Sequence, residues 1–199
     1  MAISIAGVFN VAGNGEAQYI LAKAYERGLG CAKNLDIAFE WYQQAAEAGY
    51  AKAKFCLATW NWNDKHPYKE VKNEDALLQD AATGLLAEAK AGDRMSQTYL
   101  AAMFMHGVGV PRDLNESFKW LRESAEGGYD EAQYRLGIAY KDGIGTLVNE
   151  TESKRWLKEA ARQGNIKALA MIEGRDAIVD EIVEELKPTF GVNLFVKTR

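Results

Sequence analysis

The sequence predicts an all-α solenoid of stacked antiparallel helix pairs, because three residue columns recur along its 199 residues. Four residues after each recurring glycine stands a small residue, and eight residues after it stands an aliphatic one. Successive glycines are 36, 43, 36 and 36 residues apart. They are Gly13, Gly49, Gly92, Gly128 and Gly164. Stacked units of this length form one continuous core and an extended surface suited to holding another macromolecule.

The repeat at 93–128 indicates how each helix pair forms. Apolar residues over 93–105 recur mainly at three- and four-residue spacing, which predicts an amphipathic first helix. Gly107 follows it and can end the helix in the left-handed conformation. Asp113, with Glu116 three residues later, predicts the amino-terminal cap of a second helix. The result is a helical hairpin.

Two further repeats, 14–49 and 129–164, copy this arrangement. In all three, the first turn glycine precedes a tryptophan by 13 residues, so the loop length is conserved between repeats as well as the composition. The pairs are Gly28 with Trp41, Gly107 with Trp120, and Gly143 with Trp156.

This pattern resembles the Sel-one-like repeats, a subfamily of the tetratricopeptide-like α/α solenoids. The residues that carry the resemblance run from Ala17 to Gly49, from Ser96 to Gly128 and from Ala132 to Gly164. The resemblance implies a right-handed superhelical adaptor that binds other proteins, and it suggests a bacterial source.

The stretch 50–92 departs from the pattern and is predicted to be a degenerate repeat with an insertion. Gly84 stands where the other repeats have tryptophan, so we expect looser packing there. The Gly-x-Gly turn is replaced by an insertion over 61–73, and the aromatic residues in and beside it are Trp60, Trp62, His66 and Tyr68. The insertion is either an enlarged loop that forms part of a binding surface or a drifted repeat without a role.

Both ends of the chain also depart from the repeat. Residues 1–13 are predicted to form a partial helix, and 165–187 to form capping helices, of which 175–186 carries apolar residues at helical spacing. The tail, 188–199, is apolar and β-branched and is predicted to be extended. It either covers the end of the solenoid or pairs with a partner or a second copy, so self-association is possible.

Composition excludes several classes of protein. A net charge of −4 and an isoelectric point near 5.4, without a Lys/Arg cluster, argue against nucleic-acid binding. No run of 18 apolar residues is present, so no membrane span is predicted. The amino terminus lacks a secretion signal, which predicts a cytoplasmic protein, or a periplasmic or secreted one if a signal peptide has been removed. Cys31 and Cys56 fit no paired motif and are predicted to be reduced thiols.

The sequence offers no catalytic, cofactor-binding or metal-binding site. The Gly-x-Gly pairs follow helices and lack a third glycine, so they are helix ends and not phosphate loops. The only histidines are His66, in the insertion, and His106, at a helix end. No enzyme is therefore predicted, and no cofactor.

The predicted function is a protein-interaction scaffold that binds a protein or peptide on the concave face of its first helices. The alternative is an immunity or inhibitor protein that neutralises one secreted effector. A third interpretation is that this face is only exposed to solvent and binds no ligand. The predicted contact residues are Tyr19, Lys23, Arg27, Thr98, His106, Tyr134, Ile138 and Asp142, with Trp62 and Tyr68 from the insertion.

Overall fold

A computed structural model describes residues 13–62 and 69–172, and the secondary structure in these ranges is entirely helical. The predicted all-α class is therefore confirmed. A short 3-10 turn, Trp60–Trp62, follows the third helix. The helices are α1 (Gly15–Arg27), α2 (Leu35–Glu47), α3 (Ala51–Ala58), α4 (Glu74–Lys90), α5 (Arg94–His106), α6 (Leu114–Glu126), α7 (Asp130–Asp142), α8 (Glu150–Arg162) and α9 (Ile166–Ile172).

The described residues divide into two compact units. Of the described residues, unit 1 comprises 13–62, 69–92 and 102–112, and unit 2 comprises 93–101 and 113–172. Residues 1–12 of the partial helix predicted over 1–13, the predicted capping segment 175–186 and the predicted tail 188–199 lie outside the described residues.

In unit 1, α1 packs against α2 and α3 packs against α4. Asn14 caps α1 by accepting a hydrogen bond from the backbone N–H of Ala17 (3.1 Å). The expected looser packing at Gly84 is wrong. A Cβ atom at Gly84 would lie 2.6 Å from the Cβ of Ala51, so the missing side chain brings α3 and α4 close together.

In unit 2, the predicted cap of α6 is confirmed, because the Asp113 side chain accepts hydrogen bonds from the backbone N–H groups of Asn115 (2.9 Å) and Glu116 (3.1 Å). Asn149 caps α8 in the same way, through the N–H of Glu152 (3.1 Å). The core of this unit is formed by tryptophan and aliphatic side chains. Its large members include Trp120, Leu121, Leu136, Trp156 and Leu157.

The turns between the two helices of a repeat explain the glycines of the Gly-x-Gly pairs. Gly107 ends α5 with a φ of 70° and donates a hydrogen bond to the carbonyl of Met103 (2.8 Å), as predicted. Gly145 has a φ of 67°, and a Cβ there would lie 2.9 Å from the carbonyl carbon of Leu114 and still closer to its oxygen. Only glycine therefore fits this turn.

Candidate protein-binding surface

Tyr19 is a core residue, so its predicted place on an open inner wall is wrong. Its side chain is only 4% exposed. The ring packs against the rings of Tyr42 and Tyr50, with centroids 5.9 and 5.2 Å away. A large apolar ring at this position is covered by the neighbouring helices, because burial of an aromatic side chain is strongly favourable. Tyr19 is inaccessible to a partner.

Thr98 is also buried, and its predicted exposure is wrong for a different reason. Its hydroxyl has two acceptors within hydrogen-bond distance, the backbone carbonyl of Arg94 (3.0 Å) and the Ser124 hydroxyl (2.9 Å), and donates its one proton to either of them. The Ser124 hydroxyl in turn bonds to the same Arg94 carbonyl (2.6 Å). Thr98 therefore joins α5 to α6 inside unit 2, where a buried hydroxyl needs such partners.

Trp62 and His106 form an exposed aromatic pair in unit 1. Trp62 ends the 3-10 turn, and 47% of its surface is exposed. His106 is the last residue of α5 and is also exposed. Their ring centroids are 5.8 Å apart, and the rings meet edge to face. Both residues were predicted from the sequence as contact residues, but their contact with each other was not predicted. Each lies at the end of the first helix of its repeat.

Trp60, two residues before Trp62, is a buried core residue, although its place beside the insertion suggested a role in a binding surface. Its side chain is 1% exposed and packs against Phe39 and Tyr42, with ring centroids 5.3 and 5.9 Å away. Trp60 therefore anchors the 3-10 turn in the core and holds Trp62 at the surface. Tyr68 and His66 lie outside the described residues.

Lys23 and Arg27 lie on the carboxyl-terminal half of α1. Arg27 is exposed, and Lys23 is half-buried and forms an ion pair with Glu26 (3.0 Å). The same Glu26 oxygen accepts a hydrogen bond from the Tyr42 hydroxyl (2.8 Å). Burial, together with nearby Cys56 and Glu26, raises the pKa of Tyr42 well above its usual range, so the phenol stays protonated.

The remaining predicted residues lie on α7 of unit 2. Tyr134 and Ile138 are half-buried, and Asp142 is exposed. The Lys167 ammonium of α9 lies 5.6 Å from the centre of the Tyr134 ring, within range of a cation–π interaction. This face carries both an aromatic ring and charges.

Glu131 is a charged residue of this face that sequence reasoning missed. It accepts hydrogen bonds from Arg135 (2.8 Å) and Lys167 (3.1 Å). Burial alone would raise the pKa of Glu131, but these two cations outweigh it and the pKa is lowered. The four-residue spacing to Arg135 and the 36-residue spacing to Lys167 were the available sequence signals.

Within residues 13–62 and 69–172, no three His, Cys, Asp or Glu side chains are grouped so that they could hold a metal ion. In the same ranges, no helix is both long enough and apolar enough to cross a bilayer. Cys31 and Cys56 are half-buried thiols, as predicted.

Three stretches of the chain, 15–50, 94–129 and 130–165, match the model of the Sel1 repeat. Together they make up more than half of the 199 residues. The chain belongs to the Sel1 repeat family. The matches confirm the resemblance that the glycine, alanine and tryptophan columns indicated, and they leave out 51–93, which contains the insertion. No match was found among curated protein sequences.

Solved structures of Sel1 repeat proteins are similar to this chain. A protective antigen present in uropathogenic Escherichia coli strains, which displays an SLR fold, is 29% identical with a TM-score of 0.52, over 87% of this chain and 38% of the antigen. A Sel1 repeat protein from Oxalobacter formigenes is 24% identical with a TM-score of 0.53, over 86% of this chain and 51% of that one. An immunity protein from Pseudomonas aeruginosa is 19% identical with a TM-score of 0.46, over 78% and 55%.

The first two structures share the all-helical Sel1 solenoid fold with this chain. The chain spans about half or less of the length of each of them. As a member of this family, the chain is a Sel1 repeat scaffold, and such proteins commonly take part in protein–protein interactions.

Proposed function

We propose that this chain is a non-enzymatic scaffold that binds a protein or peptide partner, with the Trp62–His106 pair as the anchor. The observation that carries the proposal is the exposure of a tryptophan, at 47%, beside a second exposed ring 5.8 Å away. Tryptophan is enriched among the few residues that supply most of the binding energy of an interface. An exposed aromatic pair of this kind is unfavourable in water and favourable once a partner covers it.

The pair is supported by ordered elements, which lowers the cost of binding. Trp62 follows the buried Trp60, and His106 belongs to the last turn of α5. Side chains held in place before binding lose less conformational entropy when the partner arrives. A pre-ordered anchor is consistent with a dedicated interaction surface.

The charges favour a protein partner over a nucleic acid. The chain has a net charge of −4, and the face of α7 that carries Tyr134 and Asp142 also carries the Glu131 cluster with Arg135. Mixed charges around aromatic rings suit a protein surface, whereas a phosphate backbone requires a concentration of lysine and arginine.

Affinity capture from the lysate of the source organism tests this proposal. The wild-type chain and the double variant Trp62→Ala, His106→Ala are compared, and the captured proteins are identified by mass spectrometry. We expect a partner that the wild type retains and the folded variant loses. Equal capture by both chains would contradict the anchor.

The identity of the partner separates the two functions that the sequence left open. An adaptor is expected to capture a cellular component, or several. An immunity or inhibitor protein is expected to capture one toxic effector with very high affinity and to protect cells from it.

A further inference from the structure

One edge of unit 1 combines the aromatic pair with exposed positive charges. Lys33 lies in the loop after α1, Trp62 ends the 3-10 turn after α3, and His106 ends α5. Arg112 lies in the loop after α5. All four residues are exposed, and each lies at or just after the end of a first helix. We name this set of four residues the basic edge.

Arg112 is held in place by one of its donors and keeps the others for a ligand. Its Nε–H donates a hydrogen bond to the backbone carbonyl of Met105 (3.1 Å), the residue before His106, so the guanidinium lies beside the last turn of α5. Arginine has five N–H donors, which leaves the four on the two Nη atoms. These four form the planar fork that binds a carboxylate through two parallel hydrogen bonds.

The carboxylates nearest along the chain to Lys33 and Arg112 already have partners. They are Glu26, paired with Lys23 (3.0 Å), Asp36, paired with Lys69, and Asp113, which caps α6. Among residues 13–62 and 69–172, no carboxylate forms an ion pair with Lys33 or Arg112. The two cations are therefore open to a carboxylate from another molecule.

The fold itself does not require a cation in this column of the repeat. Lys33 and Arg112 each stand five residues after the first turn glycine of their repeat. Val148 stands at the equivalent place in unit 2, five residues after Gly143. A Cβ at Gly143 would lie 3.1 Å from the Cγ2 of Val148, so an apolar side chain covers the turn there. The cations of unit 1 therefore indicate a role other than packing.

We propose that the basic edge binds an acidic segment of the partner protein, with an apolar side chain against Trp62 and a carboxylate at each of Lys33 and Arg112. The inference rests on the proposed function and adds the chemistry of the partner. The chain has a net charge of −4, so its surface as a whole repels an acidic segment and the basic edge attracts it. Complementary charges of this kind fix the register of a partner and exclude wrong ones.

The spacing of the two cations sets the length of the segment. Lys33 and Arg112 are two repeats apart, and packed helices lie about 8–10 Å apart, so the two loops are separated by roughly 20 Å. An extended chain advances about 3.3–3.6 Å per residue, so roughly six residues join the two carboxylates. Two cations on either side of a ring suit such a peptide, whereas a single-stranded nucleic acid requires a groove that is basic along its length.

Selection of a displayed library of random peptides against the full chain tests this chemistry without assuming a sequence. Peptides whose binding is lost with Trp62→Ala are kept as ligands of the edge. We expect them to carry carboxylates on both sides of an apolar residue. Trp62-dependent peptides without an excess of carboxylates would overturn the inference and leave the proposed function standing. A selection without any Trp62-dependent peptide would contradict both.

Two charge-removing variants then test the cations one at a time, so that a disturbed turn in one of them does not decide the result. Arg112→Gln and Lys33→Gln are each expected to raise the dissociation constant of a selected peptide about five- to tenfold in fluorescence anisotropy. Each should also make binding less sensitive to salt. Unchanged affinity in both variants would overturn the inference.

Arg122→Gln is the matched control, because it removes the same charge from α6 in unit 2, where the Arg122 side chain is 51% exposed. It should bind the peptide like the wild type, and an equal loss would assign the effect to net charge and overturn the inference. A labelled oligouridylate is the second probe and should not displace the peptide. Displacement that is lost with Arg112→Gln would also overturn the inference, because the edge would then bind single-stranded nucleic acid.

Discussion

Replacing Gly145 by alanine tests whether the turn before α8 requires a residue without a side chain. The left-handed conformation at its φ of 67° costs alanine about 1–2 kcal/mol. The new Cβ would also lie 2.8 Å from the Cβ of Phe118 and 2.9 Å from the carbonyl carbon of Leu114, and such overpacking costs about 1–3 kcal/mol. We expect Gly145→Ala to lower the free energy of unfolding by about 2–5 kcal/mol.

Gly164→Ala is the control in the same unit. Gly164 has a φ of 85°, and nothing lies within 4 Å of the position that its Cβ would take. It therefore carries the conformational cost alone, about 1–2 kcal/mol. Urea unfolding followed by circular dichroism measures both variants. Equal losses of stability would refute the reasoning that the contact with Leu114 excludes a side chain.

Three further predictions concern the core and its titrating groups. Trp60→Ala should cost about 3–5 kcal/mol of stability and Trp62→Ala less than about 1 kcal/mol, and similar losses in urea unfolding would contradict their assigned places. Because the pKa of Tyr42 is raised in the folded protein, stability should fall as the pH rises above about 10. Tyr42→Phe should make the loss of thermal stability above this pH less steep, and an equally steep loss in the variant would contradict the prediction. Because the pKa of Glu131 is lowered, its stabilisation is present above its ordinary value of 4.5 and is lost at lower pH. Glu131→Gln should flatten the acid limb of the thermal midpoint against pH, and a limb as steep as that of the wild type would contradict it.

The helix ends were predictable from sequence because their causes are local. Asp113 caps α6 through backbone groups two and three residues away, and Gly107 closes α5 through a carbonyl four residues earlier. Such interactions depend on the order of residues along a few positions. They recur in each repeat, which is why the family could also be recognised.

The accessible surface was harder to predict because it depends on neighbouring helices. Tyr19 and Thr98 occupy the same column of the repeat, yet one is buried by aromatic packing and the other by hydrogen bonds to an adjacent helix. Beside the insertion, Trp60 occupies the column of the buried Ala24, Met103 and Ala139, so the repeat register was an available signal for its burial, whereas Trp62 lies two residues later and is exposed. At Gly84, the lack of a large side chain suggested loose packing, whereas α3 and α4 lie so close together that no space is left.

The affinity of the captured partner for two double variants tests the central claim most directly. Trp62→Ala with His106→Ala removes the proposed anchor, and Leu147→Ser with Val148→Ser removes apolar surface that is 87% and 63% exposed elsewhere. Isothermal titration calorimetry should give a dissociation constant at least about 30-fold higher for the first variant, since losing a hot spot costs about 2 kcal/mol or more. The second variant should bind like the wild type. Unchanged binding by the first variant, or lost binding by the second, would contradict the account.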